Sequence, residues 1–287
     1  MKRMLTAVVL TLLAWAPATA ASAQLLVAKD GPIVYGHHHL NASSIDDQKK
    51  FWVDALGARV GKFGNNQDIV IIPNALIFMR TQAPKGPTIG STVNHIGVSV
   101  PNLRQSVDRL KAGGFRMVTA QEAPAGVNVV DDIGVVSGGD VSGIAYVLGP
   151  DEVKVELIER KAQAEPIRSH HVHFFGQQNA EMRAWYMKVF GAKQREGQAA
   201  FLGADLPGIG LNFSQAPGAV AGTQGRALDH IGFEIDNLEA FTKGLEAQGI
   251  KLAVPYRKVE ALNLAIAFIS DPWGTYIELT EGLDLVK

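Results

Sequence analysis

Residues 228–235 read LDHIGFEI and residues 93–100 read VNHIGVSV. In both stretches apolar side chains alternate with polar or small ones, the pattern of a strand with one buried face. Each stretch leads into an amphipathic helix. Leu103, Val107 and Leu110 keep helical spacing before a Gly113-Gly114 stop, and Leu238, Phe241 and Leu245 do so before Gly249. His230 lies 135 residues after His95 (230 − 95). A second pair of segments, 37–58 and 171–192, superimposes at an offset of 134 (171 − 37). That offset places His37 on His171, His39 on His173, Phe51-Trp52 on Trp185-Tyr186 and Gly57-Ala58 on Gly191-Ala192. The chain therefore has the order A-B-A′-B′.

Each unit continues as strand, helix and further strands. The runs GIAYVL (143–148), VKVELIE (153–159), AIAFIS (265–270) and TYIELTE (275–281) are rich in β-branched and aromatic residues. Gly149-Pro150-Asp151 and Asp271-Pro272-Trp273-Gly274 supply the turns between them. Segments 83–92 and 162–168 read as linkers, giving an expected N-terminal domain over 33–160 and a C-terminal domain over 168–282. The fold class expected is α+β, with two domains of two modules each.

The first 23 residues read as a signal peptide. MKRM is a basic start, LTAVVLTLLAWA an apolar core too short to span a bilayer, and Ala21-Ser22-Ala23 a small-residue cleavage site. The expectation is export to the periplasm or beyond, with no membrane attachment after cleavage. With no Cys in the chain, no disulfide supports the fold. The formal charge of −1 offers no basic footprint for nucleic acid, so a small molecule is the expected partner.

A βαβββ unit used in pairs, with His on its first strand and Glu on its last, resembles the vicinal oxygen chelate superfamily. That superfamily includes glyoxalase I, extradiol dioxygenases and bleomycin resistance proteins. The motifs that carry the resemblance are LDHIGFEIDNLEAF, the FW/WY-x-x-x-x-GA helix ends and DPWGTYIEL. The resemblance implies four βαβββ modules paired into two half-barrel cups, each with a metal on its concave face, and leaves a homodimer open. It implies a main metal site of His171, His230 and Glu278, and a second of His37, His95 and Glu156. Two imidazoles and a carboxylate suit one divalent ion per site, Fe, Zn, Mn or Ni, with positions left for substrate oxygens. His39 and His173 fall on the same strand face as His37 and His171. His173 is therefore a substrate-binding candidate.

The residues around the expected metals separate the chemistries. Ring-cleaving dioxygenases carry a Tyr where this chain has Phe268, and a His in the span here occupied by Val259, Glu260 and Ala261. Glyoxalase-type isomerases add a strand-end Glu where this chain has Phe78 and Asn212. Asn212, Tyr256 and Arg257 are substrate-binding candidates, and Glu260 is the candidate general base. The expected function is an exported metal-dependent lyase, isomerase or hydrolase. Its rivals are an extradiol-type Fe(II) dioxygenase with an altered surround and a non-catalytic binding protein like those of bleomycin resistance.

Overall fold

The computed structural model describes residues 32–138, 141–196 and 201–283; the expected signal segment 1–23 lies outside them. Module one comprises β1 (Ile33–Ala42), α1 (Ile45–Lys49), β2 (Arg59–Phe63), β3 (Gln67–Ile72) and β4 (Ala75–Thr81), with a π-helical turn Lys50–Ala55 after α1. Module two comprises β5 (Val93–Val100), α2 (Leu103–Ala112), β6 (Arg116–Met117), α3 (Thr119–Glu122), β7 (Asn128–Val130), β8 (Ile133–Gly138), β9 (Val141–Leu148) and β10 (Lys154–Glu159). Module three holds β11 (Arg168–Gly176), α4 (Asn179–Phe190), β12 (Lys193–Arg195), β13 (Leu202–Leu206) and β14 (Ile209–Gln215). Module four holds β15 (Leu228–Ile235), α5 (Leu238–Ala247), β16 (Leu252–Val259), β17 (Leu264–Ser270) and β18 (Tyr276–Glu281). Among the described residues no helix is long and apolar enough to cross a membrane.

The modules are as the repeat predicts, but their partners are not. One sheet runs β16-β17-β18-β15-β1-β4-β3-β2 and joins module four to module one. The other runs β12-β13-β14-β11-β5-β10-β9-β8-β7 and joins module three to module two. Each cup thus takes one module from each half of the chain, and neither 33–160 nor 168–282 forms a cup by itself. We call the module one–four sheet cup one and the module two–three sheet cup two. Both are joined at their centres by antiparallel pairing of two first strands, β1 with β15 and β5 with β11.

The helices form from local signals. Asn102 caps α2 by accepting from Gln105 N, and the chain turns out of the helix at Gly114 with φ +79°. The buried Leu103, Val107 and Leu110 belong to one continuous core that also holds Ile96 and Val98 of β5 and Ile231 and Phe233 of β15. Helices α2, α4 and α5 pack into this core on the faces of the sheets opposite the polar clusters, whereas α3 lies on the polar face of β9 and β10, where Glu122 accepts from Lys154 Nζ at 2.6 Å. Asp271, the first residue of the DPWG turn, locks this core. Its carboxylate accepts from Trp273 N at 3.0 Å, from Thr275 N at 2.7 Å and from the Tyr186 hydroxyl on α4 at 3.0 Å. Asp271→Ala removes the acceptor of all three donors, two of them, Thr275 N and the Tyr186 hydroxyl, in the interior. It is expected to cost about 3 kcal/mol of stability, read from urea unfolding.

Candidate metal centres

Two clusters of buried donors sit on the concave faces, one across each central strand junction. In cup one, His37 Nε2 and His230 Nε2 each lie 3.0 Å from Glu278 Oε2. In cup two, Glu156 Oε2 lies 3.0 Å from His95 Nε2 and 3.2 Å from His171 Nε2. His173 Nδ1 approaches His95 Nε2 at 3.1 Å, so cup two offers four donors, all within 4.8 Å of one another. All six residues expected to bind metal are at a cluster, but the expected sets are not. His171 does not meet His230 and Glu278; it belongs with His95 and Glu156, and His37 takes its place in cup one. The cause is the sheet order, which brings β1 to β15 and β11 to β5.

The register explains the His-Ile-Gly repeat. His37 pairs with Gly232, and His171 pairs with Gly97. Each imidazole lies over its glycine, so that a Cβ on Gly232 would stand 2.0 Å from His37 Cε1 and one on Gly97 2.1 Å from His171 Cε1. No side chain fits there while the ring stays in place. Gly97→Ala is therefore expected to weaken metal binding in cup two by at least about tenfold while sparing cup one. Metal content per chain under chelator competition reads the difference.

Both clusters fit a divalent ion. Donors bonded to one ion at about 2.1 Å stand about 3.0 to 3.4 Å apart at octahedral to tetrahedral angles. In cup two the Glu156–His95, Glu156–His171 and His95–His173 separations fall in that range, as does the 3.4 Å between His171 Nε2 and His95 Nε2. Proton counting agrees. His95 Nδ1 donates to Asn94 Oδ1 at 2.9 Å, which leaves a lone pair on Nε2 facing the Glu156 carboxylate. Burial pushes the His95 imidazole down to about 4 despite the pull of Glu156, so the ring is neutral at pH 7. Two acceptors face each other in the interior, an arrangement a cation resolves. In cup one, His230 Nδ1 donates to Asp229 Oδ1 at 2.7 Å, again turning a lone pair toward Glu278. Burial pushes the His230 ring down, but Asp229 and Glu278 outweigh it and hold the pKa above its ordinary value. A proton or a metal ion therefore satisfies cup one. Burial also raises the Glu278 carboxyl, yet hydrogen bonds from His230 and His37 keep it well below the usual range.

Asp229 is itself held by Gly225 N at 2.7 Å and Asn41 Nδ2 at 3.1 Å. It orients a ligand in the way outer-shell carboxylates do. Neither Asp229 nor Asn94 was among the sequence-derived candidates. The signal was nevertheless present, because each immediately precedes the His of a His-Ile-Gly repeat.

The surroundings of the clusters differ. Cup two opens into a cavity of about 990 Å³, with Glu156, His171, His173 and Asn212 in its wall. On the concave face of cup one, Phe63, Ile69, Ile71, Leu76, Phe78, Leu264 and Leu283 pack into an apolar cluster. His39 stacks on Phe78 there, and its Nε2 is buried with no partner.

His173 and Asn212 thus lie at the cavity of cup two. Tyr256 and Glu260 instead line a separate pocket with Lys258, Glu239 and Glu281, away from every metal donor. Register is the reason: Glu278 pairs with Phe268, whereas Glu260 follows β16 beyond the Val259–Leu264 pair. Arg257 pairs with Ile266 and is exposed on the outermost strand of cup one. Glu260 is therefore not placed to act as base at either cluster. Sequence reasoning also missed Tyr146. It pairs with Glu156 as Phe268 pairs with Glu278, so the Tyr looked for at Phe268 stands in cup two instead.

These features define a protein whose paired βαβββ modules bring together His and Glu residues that could hold a metal ion. The chain belongs to the Glyoxalase/Bleomycin resistance protein/Dioxygenase superfamily, whose family model matches residues 126–279. Its fold is similar to that of glyoxalase I from Zea mays (TM-score 0.67, 17% identity, 88% of this chain and 94% of that one covered). It is also similar to a provisionally assigned dioxygenase from Bacillus subtilis (TM-score 0.61, 11% identity, 86% and 84% covered). No curated protein sequence matches the chain.

Proposed function

We propose that this protein is an exported metal-dependent enzyme that performs lyase, isomerase or hydrolase chemistry on a small oxygenated substrate in cup two. The observation that carries this reading is the four-donor cluster His95, Glu156, His171 and His173, of which Glu156, His171 and His173 line a cavity of about 990 Å³. That volume suits a small ligand. A divalent ion bound there supplies Lewis-acid polarisation of substrate oxygens. His95, His171 and Glu156 hold it from two modules, and Asn94 fixes the His95 ring. His173 donates or accepts at Ser214 Oγ, 2.8 Å from its Nε2, and so holds its Nδ1 toward the cluster. Hydrocarbon side chains around the donors of cup one support a structural role for that site.

Tyr146 favours one rival, an Fe(II) dioxygenase acting in cup two. Elemental analysis of the purified protein with oxygen-uptake assays separates the readings. Zn, Mn or Ni without oxygen uptake supports the proposal, and iron with uptake supports the dioxygenase. A protein without metal whose His171→Ala variant still binds ligand is a binding protein.

A further inference from the structure

Modules one and three superimpose residue by residue, so the walls of the two cups can be compared at equivalent positions. Gly61 pairs with Ile69 and Ile69 with Phe78 in cup one; Arg195 pairs with Gly203 and Gly203 with Asn212 in cup two. In cup one Ile71 covers the glycine, its Cδ1 2.3 Å from where a Cβ on Gly61 would stand. In cup two the arrangement is inverted. Arg195 lies across two glycines, and a Cβ would stand 2.6 Å from its Nη2 on Gly210 or 3.1 Å from its Cβ on Gly203. Small residues thus clear a channel through which a guanidinium reaches the cavity wall.

What Arg195 does there is set by its partners. Its Nε donates to Asp205 at 3.0 Å and its Nη2 to Asp205 at 2.7 Å and to the Ala204 carbonyl at 3.1 Å, fixing the plane of the group. Its Nη1 donates to Asn212 Oδ1 at 3.1 Å. A guanidinium has no acceptor, so this contact ties back the amide oxygen and leaves the Asn212 NH₂ to the cavity. Among the described residues nothing accepts from that NH₂. Asn212 pairs with His173 in parallel register, one strand from the metal donors.

We propose that cup two binds its substrate as an oxyanion, an enolate or carboxylate oxygen, with Asn212 Nδ2 as its hydrogen-bond donor and Arg195 as the positioning residue that aims it. The inference rests on the metal-cup reading above and specifies its substrate class. A fixed donor beside a developing negative charge acts without reorganisation, whereas a carboxylate at this position would repel it.

Oxalate, titrated by calorimetry into the metal-loaded protein, serves as the probe. Asn212→Asp replaces the donor with a like-sized acceptor and should weaken oxalate by at least about tenfold with the metal content of cup two unchanged. Arg195→Leu, which frees the amide to turn, should weaken it by about threefold to tenfold, and Arg195→Lys by less. In an Asn212→Ala background, Arg195→Leu should cost nothing further, a coupling that a merely structural Arg195 would not show. Unchanged affinity in Asn212→Asp, or a full Arg195→Leu effect in the Asn212→Ala background, overturns the proposal. So does a metal-loaded wild type indifferent to oxalate, which leaves the metal site standing. A wild type that takes up no metal but binds oxalate with the same dependence on Asn212 refutes the metal-cup reading alone.

Discussion

His171→Ala is expected to remove one metal ion per chain and leave the other, and Glu278→Ala to remove the one that His171→Ala spares. His171 and Glu156 share cup two, while His37, His230 and Glu278 share cup one. Deleting an outer-shell partner costs roughly 10- to 100-fold in affinity, and loss of a direct ligand should cost more than about 100-fold. The single variants should each hold a single ion by elemental analysis after dialysis, and the double variant none. Thermal unfolding should separate them too, because ligand binding to the native state adds stability by mass action. If both single variants lost the same ion, the pairing of modules described above would be wrong.

Division of the chain between Glu159 and Arg168 is expected to give halves that cannot work alone. Each half would contribute one module to each cup, leaving β1 without β15 and β11 without β5. The exposed strands Val93–Val100 and Leu228–Ile235 are buried along their whole length in the intact protein, so each half would present an apolar, unpaired edge to water. Separately produced halves should be largely unfolded or aggregated by circular dichroism and light scattering. Co-produced halves should associate and recover both metal sites. A monomeric half that binds an ion at full affinity would contradict the shared-cup architecture.

Much of this organisation is legible in the residues. The two His-Ile-Gly strands, the GA helix ends and the DPWG turn predict the modules, and the six metal-binding candidates all reach a cluster. The partner of each module is not legible from the repeat, because the four modules carry nearly the same local pattern. A one-for-one exchange of His37 and His171 between the expected sets is the result. One physical signal was available in the linkers. Segment 160–167 is shorter than 82–92 or 216–227, and in cup two it has only to cross β5, which lies between β10 and β11. Two strand spacings, about 10 Å, suffice for that crossing, so the shortest linker joins modules that share a sheet. Glu260 failed for a different reason: proximity in sequence to the DPWG turn says nothing about how far along β16 and β17 a residue is carried.

The nesting of the modules also sets an order in time. The donors of cup two span residues 95–173, and the sheet around them is complete once β14 has emerged. The donors of cup one span residues 37–278, so β1 must wait for Leu228–Ile235 before β15 can pair with it, and its cluster waits for Glu278. Closing so long a loop costs entropy that no earlier contact in cup one returns, and such non-local pairing forms slowly. Cup two is the part of the molecule that can mature first, and cup one is the clasp that closes after it.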